Sequence, residues 1–253
     1  MAWGFSFGVI ASAMSPDARA AANAARQSGF AGLLFDAVTP SLDLTSLSST
    51  GRREFRHVLK QQDQQLIGLR GQTGSQGLLP GSDIDQTIWR LDQILKAAAD
   101  LAAPMVGLDL GPLPPSRELP QIIPPLADLG QRADRYGVIV AMRSESAGME
   151  AVAGAIALAA CPWFGMDFDP LAAASAGAID RAVAKSAGQI RHVRGRDGAA
   201  GNDRRARPAA VGYGSIDWPQ LLRSLDDSQY HGWITLEAPD PAAGLDYLRK
   251  IPA

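Results

Sequence analysis

Seven ionisable residues stand at the ends of apolar runs along this chain, and their signs alternate: Asp36, Arg70, Asp109, Arg143, Asp169, Arg194 and Glu237. If each run is a strand of one closed parallel sheet, these side chains meet at the C-terminal mouth, the face on which such barrels carry their sites. A ring of this kind can hold an anionic or polyhydroxyl ligand. Guanidinium forks take up carboxylate or phosphate oxygens in pairs, and carboxylates accept hydrogen bonds from hydroxyls. It can equally be a structural salt-bridge network that neutralises itself, and from residue types alone both readings stand. Glu145 and His192 lie two residues from ring members and alternate onto the same strand face; with Arg196, which opens the loop after the seventh run, they are further candidate substrate contacts.

The elements that must position this ring are short apolar strands alternating with longer amphipathic or alanine-rich helices. The strands are expected over Gly4–Ile10, Gly32–Asp36, Leu66–Arg70, Met105–Leu110, Val138–Arg143, Phe164–Asp169, Gln189–Arg194 and Gly232–Glu237. Ser15 and Pro16 predict an N-cap and first helical position, and Gly137 a helix end. Helices are expected near 46–62, 83–101, up to Tyr136, and over 241–249. Eight such alternations predict a (β/α)8 TIM barrel rather than an open doubly wound sheet. Gly8-Val9-Ile10-Ala11 does not form the glycine-rich phosphate fingerprint of the open alternative. No linker or shift of composition interrupts residues 1–253, so one domain is expected.

Composition narrows the function. Hydrophobic residues make up 46% and charged residues 20% of the 253, which is globular. A net charge of −2 gives no bulk attraction to nucleic acid or anionic lipid, so neither is an expected partner. Cys161 is the only cysteine, which excludes an internal disulfide and an all-cysteine zinc site. The apolar start lacks a basic leader and reads as a first strand, and no apolar run is long enough to span a bilayer. A cytoplasmic protein is expected, with homo-oligomerisation left open. His57 and His231 read as structural or surface residues, Trp218 and Trp233 as packing, and Cys161 as a small buried side chain. Arg204, Arg205 and Arg207 fall in a loop that reads as a solvated segment or as a lid over the mouth.

The order of the C-terminal motifs is the more specific signal. Arg191-His192-Val193-Arg194-Gly195-Arg196-Asp197, Val211-Gly212-Tyr213-Gly214-Ser215-Ile216-Asp217-Trp218, and Tyr230-His231-Gly232-Trp233-Ile234-Thr235-Leu236-Glu237 follow one another. Upstream lie Ser28-Gly29-Phe30-Ala31-Gly32, Arg135-Tyr136-Gly137-Val138 and Gly165-Met166-Asp167-Phe168-Asp169-Pro170. Together they resemble the sugar phosphate isomerase/epimerase family, the xylose-isomerase-like barrels. The resemblance implies a divalent metal (Mn, Mg, Co or Zn) held at the mouth by Glu, Asp, His and Glu from strands five to eight. It also implies two glutamates that move a proton on opposite faces of a sugar.

Carried over position by position, the strand-six aspartate is Asp169 and the strand-eight glutamate is Glu237, but the strand-five glutamate falls at Arg143 and the strand-seven histidine at Arg194. Three carboxylates, a neutral histidine and a divalent ion leave one net negative charge. Two carboxylates and two guanidiniums leave none, so the arginines can take over the metal's electrostatic role. No cofactor is therefore expected; were a metal bound, Asp169 and Glu237 would hold it, with Glu145 above and His192 below as poorly placed substitutes. Arg143 and Arg194 are expected within ion-pair distance of Glu237 or Asp169.

Two functions remain. One is an enzyme that acts on a sugar, sugar phosphate or related hydroxy-carbonyl compound by isomerisation, epimerisation or elimination. In it Glu237 is the acid/base, Asp169 is a further catalytic residue, and Arg143 and Arg194 steady an enediolate-like oxyanion in place of a metal. Arg70, Asp109, Arg196, Glu145 and His192 contact the substrate. The other is a non-catalytic relative that binds a small anionic ligand or a protein at the mouth, because Arg143 in place of a glutamate leaves a two-base epimerisation with one base. Apurinic-site endonucleases share the barrel, but three histidines in the whole chain cannot supply their multi-zinc cluster.

Overall fold

The computed structural model describes residues 3–81, 83–145, 147–199 and 207–253. Eight strands close a parallel barrel: β1 (Ser6–Ile10), β2 (Gly32–Asp36), β3 (Gln65–Gln72), β4 (Met105–Asp109), β5 (Ile139–Arg143), β6 (Phe164–Phe168), β7 (Ile190–Gly195) and, after the hairpin β8 (Asp197–Ala199) and β9 (Arg207–Ala209), β10 (Trp233–Leu236). The order round the barrel is β1-β10-β7-β6-β5-β4-β3-β2. Consecutive apolar residues explain the strands. Leu33, Leu34 and Phe35, or Val140, Ala141 and Met142, are buried without a polar alternation, as strands covered on both faces require.

The helices are α1 (Ala11–Met14), α2 (Ala18–Gln27), α3 (Ser49–Gln61), α4 (Ile84–Leu101), α5 (Ile123–Tyr136), α6 (Met149–Ala159), α7 (Pro170–Ala176), α8 (Ile179–Ser186), α9 (Trp218–Asp227) and α10 (Pro241–Arg249), with a 3-10 turn at Ser116–Ile122. Helix α9 shows why they form. Trp218, Leu221, Leu222 and Leu225 recur at helical spacing and are buried, and the Asp217 carboxylate accepts from Gln220 N at 2.9 Å as its cap. Gly137, at φ +64°, ends α5 as expected. The expected cap at Ser15 is corrected: Asp17 caps α2 by accepting from Ala20 N at 2.8 Å, and Ser15 lies in the turn before it. No helix among the described residues is long and apolar enough to cross a membrane.

Internal contacts divide the chain into two compact units, one of Met1–Leu34, Leu59–Gln65 and Phe168–Ala253, the other of Phe35–Val58 and Leu66–Asp167. In the first, Val9, Val193, Ile234, Leu236, Trp218 and Leu245 are buried. In the second, Leu69, Val106, Leu108, Val140, Leu95 and Leu126 are buried. There α4 and α5 are also tied by Arg132, whose guanidinium lies 2.9 Å from Asp92 and 3.0 Å from Asp128. Tyr136 donates to Asp92 at 3.3 Å, and burial, then the Asp92 charge, holds its phenol above the usual range.

Candidate functional site

In the first unit four ionised side chains meet beyond the ends of β7 and β10 and at the start of α7. Arg194, on β7, donates through Nη2 to Glu237 Oε2, and its Nη1 lies 3.7 Å from Asp169 Oδ2. The latter is too long for a hydrogen bond but close enough for charge attraction. Arg196 Nη1 donates to the same Asp169 oxygen at 3.0 Å. The Arg194 side chain is 4% exposed, Glu237 9%, Asp169 15% and Arg196 30%, so the cluster opens to solvent on the Arg196 side. Net charge is zero, which lets it be buried at all.

The backbone holds this arrangement. Asp169 is not the last residue of a strand, as the sequence suggested, but the cap of α7, with Oδ1 accepting from Leu171 N at 3.0 Å. Glu237 N donates to Gly195 O at 3.0 Å, which keeps the end of β10 beside β7. A Cβ at Gly195 would stand 2.9 Å from Leu236 Cα, so this approach needs glycine. One strand layer below, His192 and Thr235 are fully buried and share a hydrogen bond of 2.7 Å. His192 thus lies beneath Arg194, hydrogen-bonded within the barrel.

Sequence reasoning missed Asp197. Its carboxylate, 2% exposed, accepts from Gly198 N, Gly212 N, Gly214 N, Ile216 N and Trp218 Nε1 at 2.8–3.2 Å. It fastens the end of β7, which carries Arg194 and Arg196, to the turn that starts α9. The available signal was the adjacency of an aspartate to Gly198 and, downstream, the glycine pair Gly212 and Gly214. Asp197→Asn swaps an acceptor for a donor facing N–H groups and should lower stability by about 1–3 kcal/mol, read from the urea midpoint at unchanged slope. An unchanged midpoint would show that these bonds carry little.

The second unit holds its own polar groups. Arg143 Nη1 lies 3.2 Å from Asp109 Oδ2 and 2.9 Å from Glu145 Oε1, and its Nε 3.7 Å from Asp167 Oδ2. Arg143 was expected on Asp169 or Glu237; within its own unit it meets these three acids. Asp167 was not foreseen, yet it stands two residues before Asp169 and is buried. Asp109 Oδ1 accepts from Gly111 N at 3.0 Å, and Glu145 is largely exposed. Arg70 clamps Asp36, with Nε and Nη2 at 2.9 and 2.7 Å from one carboxylate oxygen. Arg204 and Arg205, part of the loop read as a lid, lie outside the described residues, while Arg207 is exposed on β9.

A divalent ion needs anionic and neutral donors converging on a common point. At the ends of β7 and β10 the acids Asp169 and Glu237 converge on a guanidinium, with a second guanidinium behind it, and this donor set does not fit the ion. Among the described residues no three His, Cys, Asp or Glu side chains are grouped to hold a metal. The arrangement can accept a small polyhydroxyl compound at its open side, offer a carboxylate as proton acceptor, and hold developing negative charge on guanidinium nitrogens.

Comparison with known proteins agrees with this fold. No curated protein sequence matches the chain. A xylose isomerase domain protein from Planctomyces limnophilus has a TM-score of 0.83 at 19% identity, over 98% of this chain and 96% of that one. D-psicose 3-epimerase with D-tagatose, from Clostridium cellulolyticum H10, has 0.81 at 15%, over 98% and 99%. The probable 3-DHS dehydratase AsbF of Bacillus anthracis has 0.81 at 12%, over 98% and 100%. At these identities the likeness shows the fold. The family model described as a xylose isomerase-like TIM barrel matches residues 22–251, nearly the whole chain, and the protein belongs to that family.

Proposed function

We propose that this chain works, as one cytoplasmic domain, as an isomerase/epimerase-like enzyme on a small polyhydroxyl or hydroxy-carbonyl compound such as a sugar or sugar phosphate, without a divalent metal. The observation that carries the reading is Arg194, buried at the end of a barrel strand between Glu237 and Asp169. Glu237 is the proton acceptor and donor. Arg194 and Arg196 carry the negative charge that develops on the substrate oxygen when a neighbouring C–H is lost. Asp169, anchored by Leu171 N, fixes the two guanidiniums. Arg196, the most exposed of the four, is the first substrate contact. With an arginine where the resemblance puts a second glutamate, the chemistry favoured is transfer or elimination by one base.

The fold neighbours support this class, since one of them is an epimerase structure with D-tagatose and another is described as a dehydratase. The test is solvent exchange. The protein is incubated with ketoses, their phosphates and related hydroxy-ketones in D2O containing EDTA, and the sugar C–H signals are followed by proton NMR. Exchange or product formation that survives EDTA is expected for at least one compound. Exchange seen only after adding Mn or Co overturns the metal-free reading. The second reading, a non-catalytic binder, rests on Glu237 being already paired with a buried cation. Saturable binding of a compound with no exchange would favour it.

A further inference from the structure

We infer that the loop between β3 and α4 forms a second binding site, for one small neutral polyol. The site shares no residue with the ionised cluster of Arg194 and Glu237 and does not depend on that cluster being catalytic. A cavity of about 200 Å³ lies between Gln76, Leu79 and Gly81 of the loop and Asp83, Ile84 and Thr87 at the start of α4. A water's share of the liquid is about 30 Å³, so this space equals about six or seven waters, the bulk of a four- or five-carbon polyol. The loop wall is anchored. Leu78 is fully buried, and a Cβ at Gly77, which sits at φ +62°, would stand 2.7 Å from Pro112 O and 2.8 Å from Leu110 O.

The groups that line the cavity select its ligand. Thr87 is 4% exposed, and its Oγ1 accepts from Arg90 Nη2 at 3.1 Å. Its hydroxyl proton has no acceptor among the described residues, so a buried donor is left unspent beside open space. Asp83 stands where α4 needs a cap, yet its carboxylate accepts from no N–H of the helix. The cavity therefore offers a hydroxyl donor, the uncapped N–H groups of a helix start and a carboxylate acceptor together. Hydroxyl groups match that set, because each one both accepts and donates. A phosphate would find the donors but meet the negative charges of Asp83 and Asp85, and an ammonium would leave the Thr87 proton without an acceptor.

The test is an amide-resolved NMR titration of the full nitrogen-15-labelled chain with xylitol and, separately, with inorganic phosphate. Xylitol should give saturable shifts at the amides of Gly77, Leu79, Ile84 and Thr87, and phosphate should bind there at least about tenfold more weakly, since one neighbouring charge moves an equilibrium by about 1–3 powers of ten. Thr87→Val keeps the shape of the side chain, removes the hydroxyl and should weaken xylitol by about fivefold, the usual net effect of one hydrogen bond, while Thr87→Ser should keep the parent's affinity. A Cβ at Gly81 meets nothing nearer than Leu79 O at 4.0 Å, so Gly81→Leu takes up cavity space without a clash and should weaken xylitol further. The inference is overturned if xylitol moves none of these amides saturably, if phosphate binds there as well as xylitol, or if Thr87→Val and Gly81→Leu melt like the parent and bind as tightly. Should Thr87→Val not melt cooperatively, Gly81→Leu alone decides. Saturable shifts only at the amides of Gly195 and Glu237 would also overturn it, and would leave the catalytic reading of that cluster standing.

Discussion

Arg194→Met should destabilise the fold by about 3–5 kcal/mol, the usual effect of removing one member of a buried charge pair. The guanidinium is almost wholly buried and Glu237 nearly so, so the loss leaves a carboxylate with little water to replace its partner. Asp169 keeps Arg196 at 3.0 Å and Leu171 N, so the penalty falls mainly on Glu237. Arg194→Lys should lie between the parent and methionine, because an ammonium can meet one acid but cannot fork between two. In Arg194→Met/Glu237→Gln the carboxylate charge that faced Arg194 is gone as well, and most of the lost stability should return. Urea unfolding of the parent, Arg194→Met, Glu237→Gln and Arg194→Met/Glu237→Gln forms a double-mutant cycle, and a coupling of at least about 1 kcal/mol is expected for partners in contact. A loss within about 0.5 kcal/mol for Arg194→Met, the range of ordinary surface substitutions, would mean that the pair is solvated in solution.

The barrel was legible because its signal is repeated. Eight apolar runs at regular spacing agree with one another, and a wrong boundary in any one leaves the count intact. The placing of Arg194 beside Glu237 was legible because both stand at the ends of apolar runs that become neighbouring strands. The site was not legible where a choice between partners depends on loop geometry. Asp169 looked like a strand end, but the following Pro170 starts a helix and turns the carboxylate into its cap. Arg143 meets Asp109, Glu145 and the buried Asp167 within its own unit, contacts the sequence reading did not name. Asp167 passed unnoticed because inside an apolar strand a single acid reads as an interruption rather than as a partner. The work of Asp197 depends on five donors spread over 21 residues of chain, a convergence visible only in three dimensions.

If Glu237 is the acid/base, Glu237→Gln should lower turnover by about 10²–10⁴-fold while substrate affinity changes far less. The amide keeps the size of the side chain and an oxygen to accept from Arg194, so the geometry of the cluster survives and only the proton acceptor is lost. Three readouts separate this from a merely structural effect. Solvent deuterium entry into the substrate should fall with turnover, since both pass through the same proton. The limb of the pH–rate profile that reports the base should disappear in whatever activity remains. Glu237→Asp should recover part of the rate if a carboxylate is what matters, although the shorter reach loosens its contact with Arg194. Arg194→Lys then serves as the complementary probe: it keeps the base and weakens the charge that receives the oxyanion, so it should reduce turnover without removing the pH limb. Undiminished exchange in a folded Glu237→Gln would remove Glu237 from the chemistry and return the cluster to a structural salt bridge.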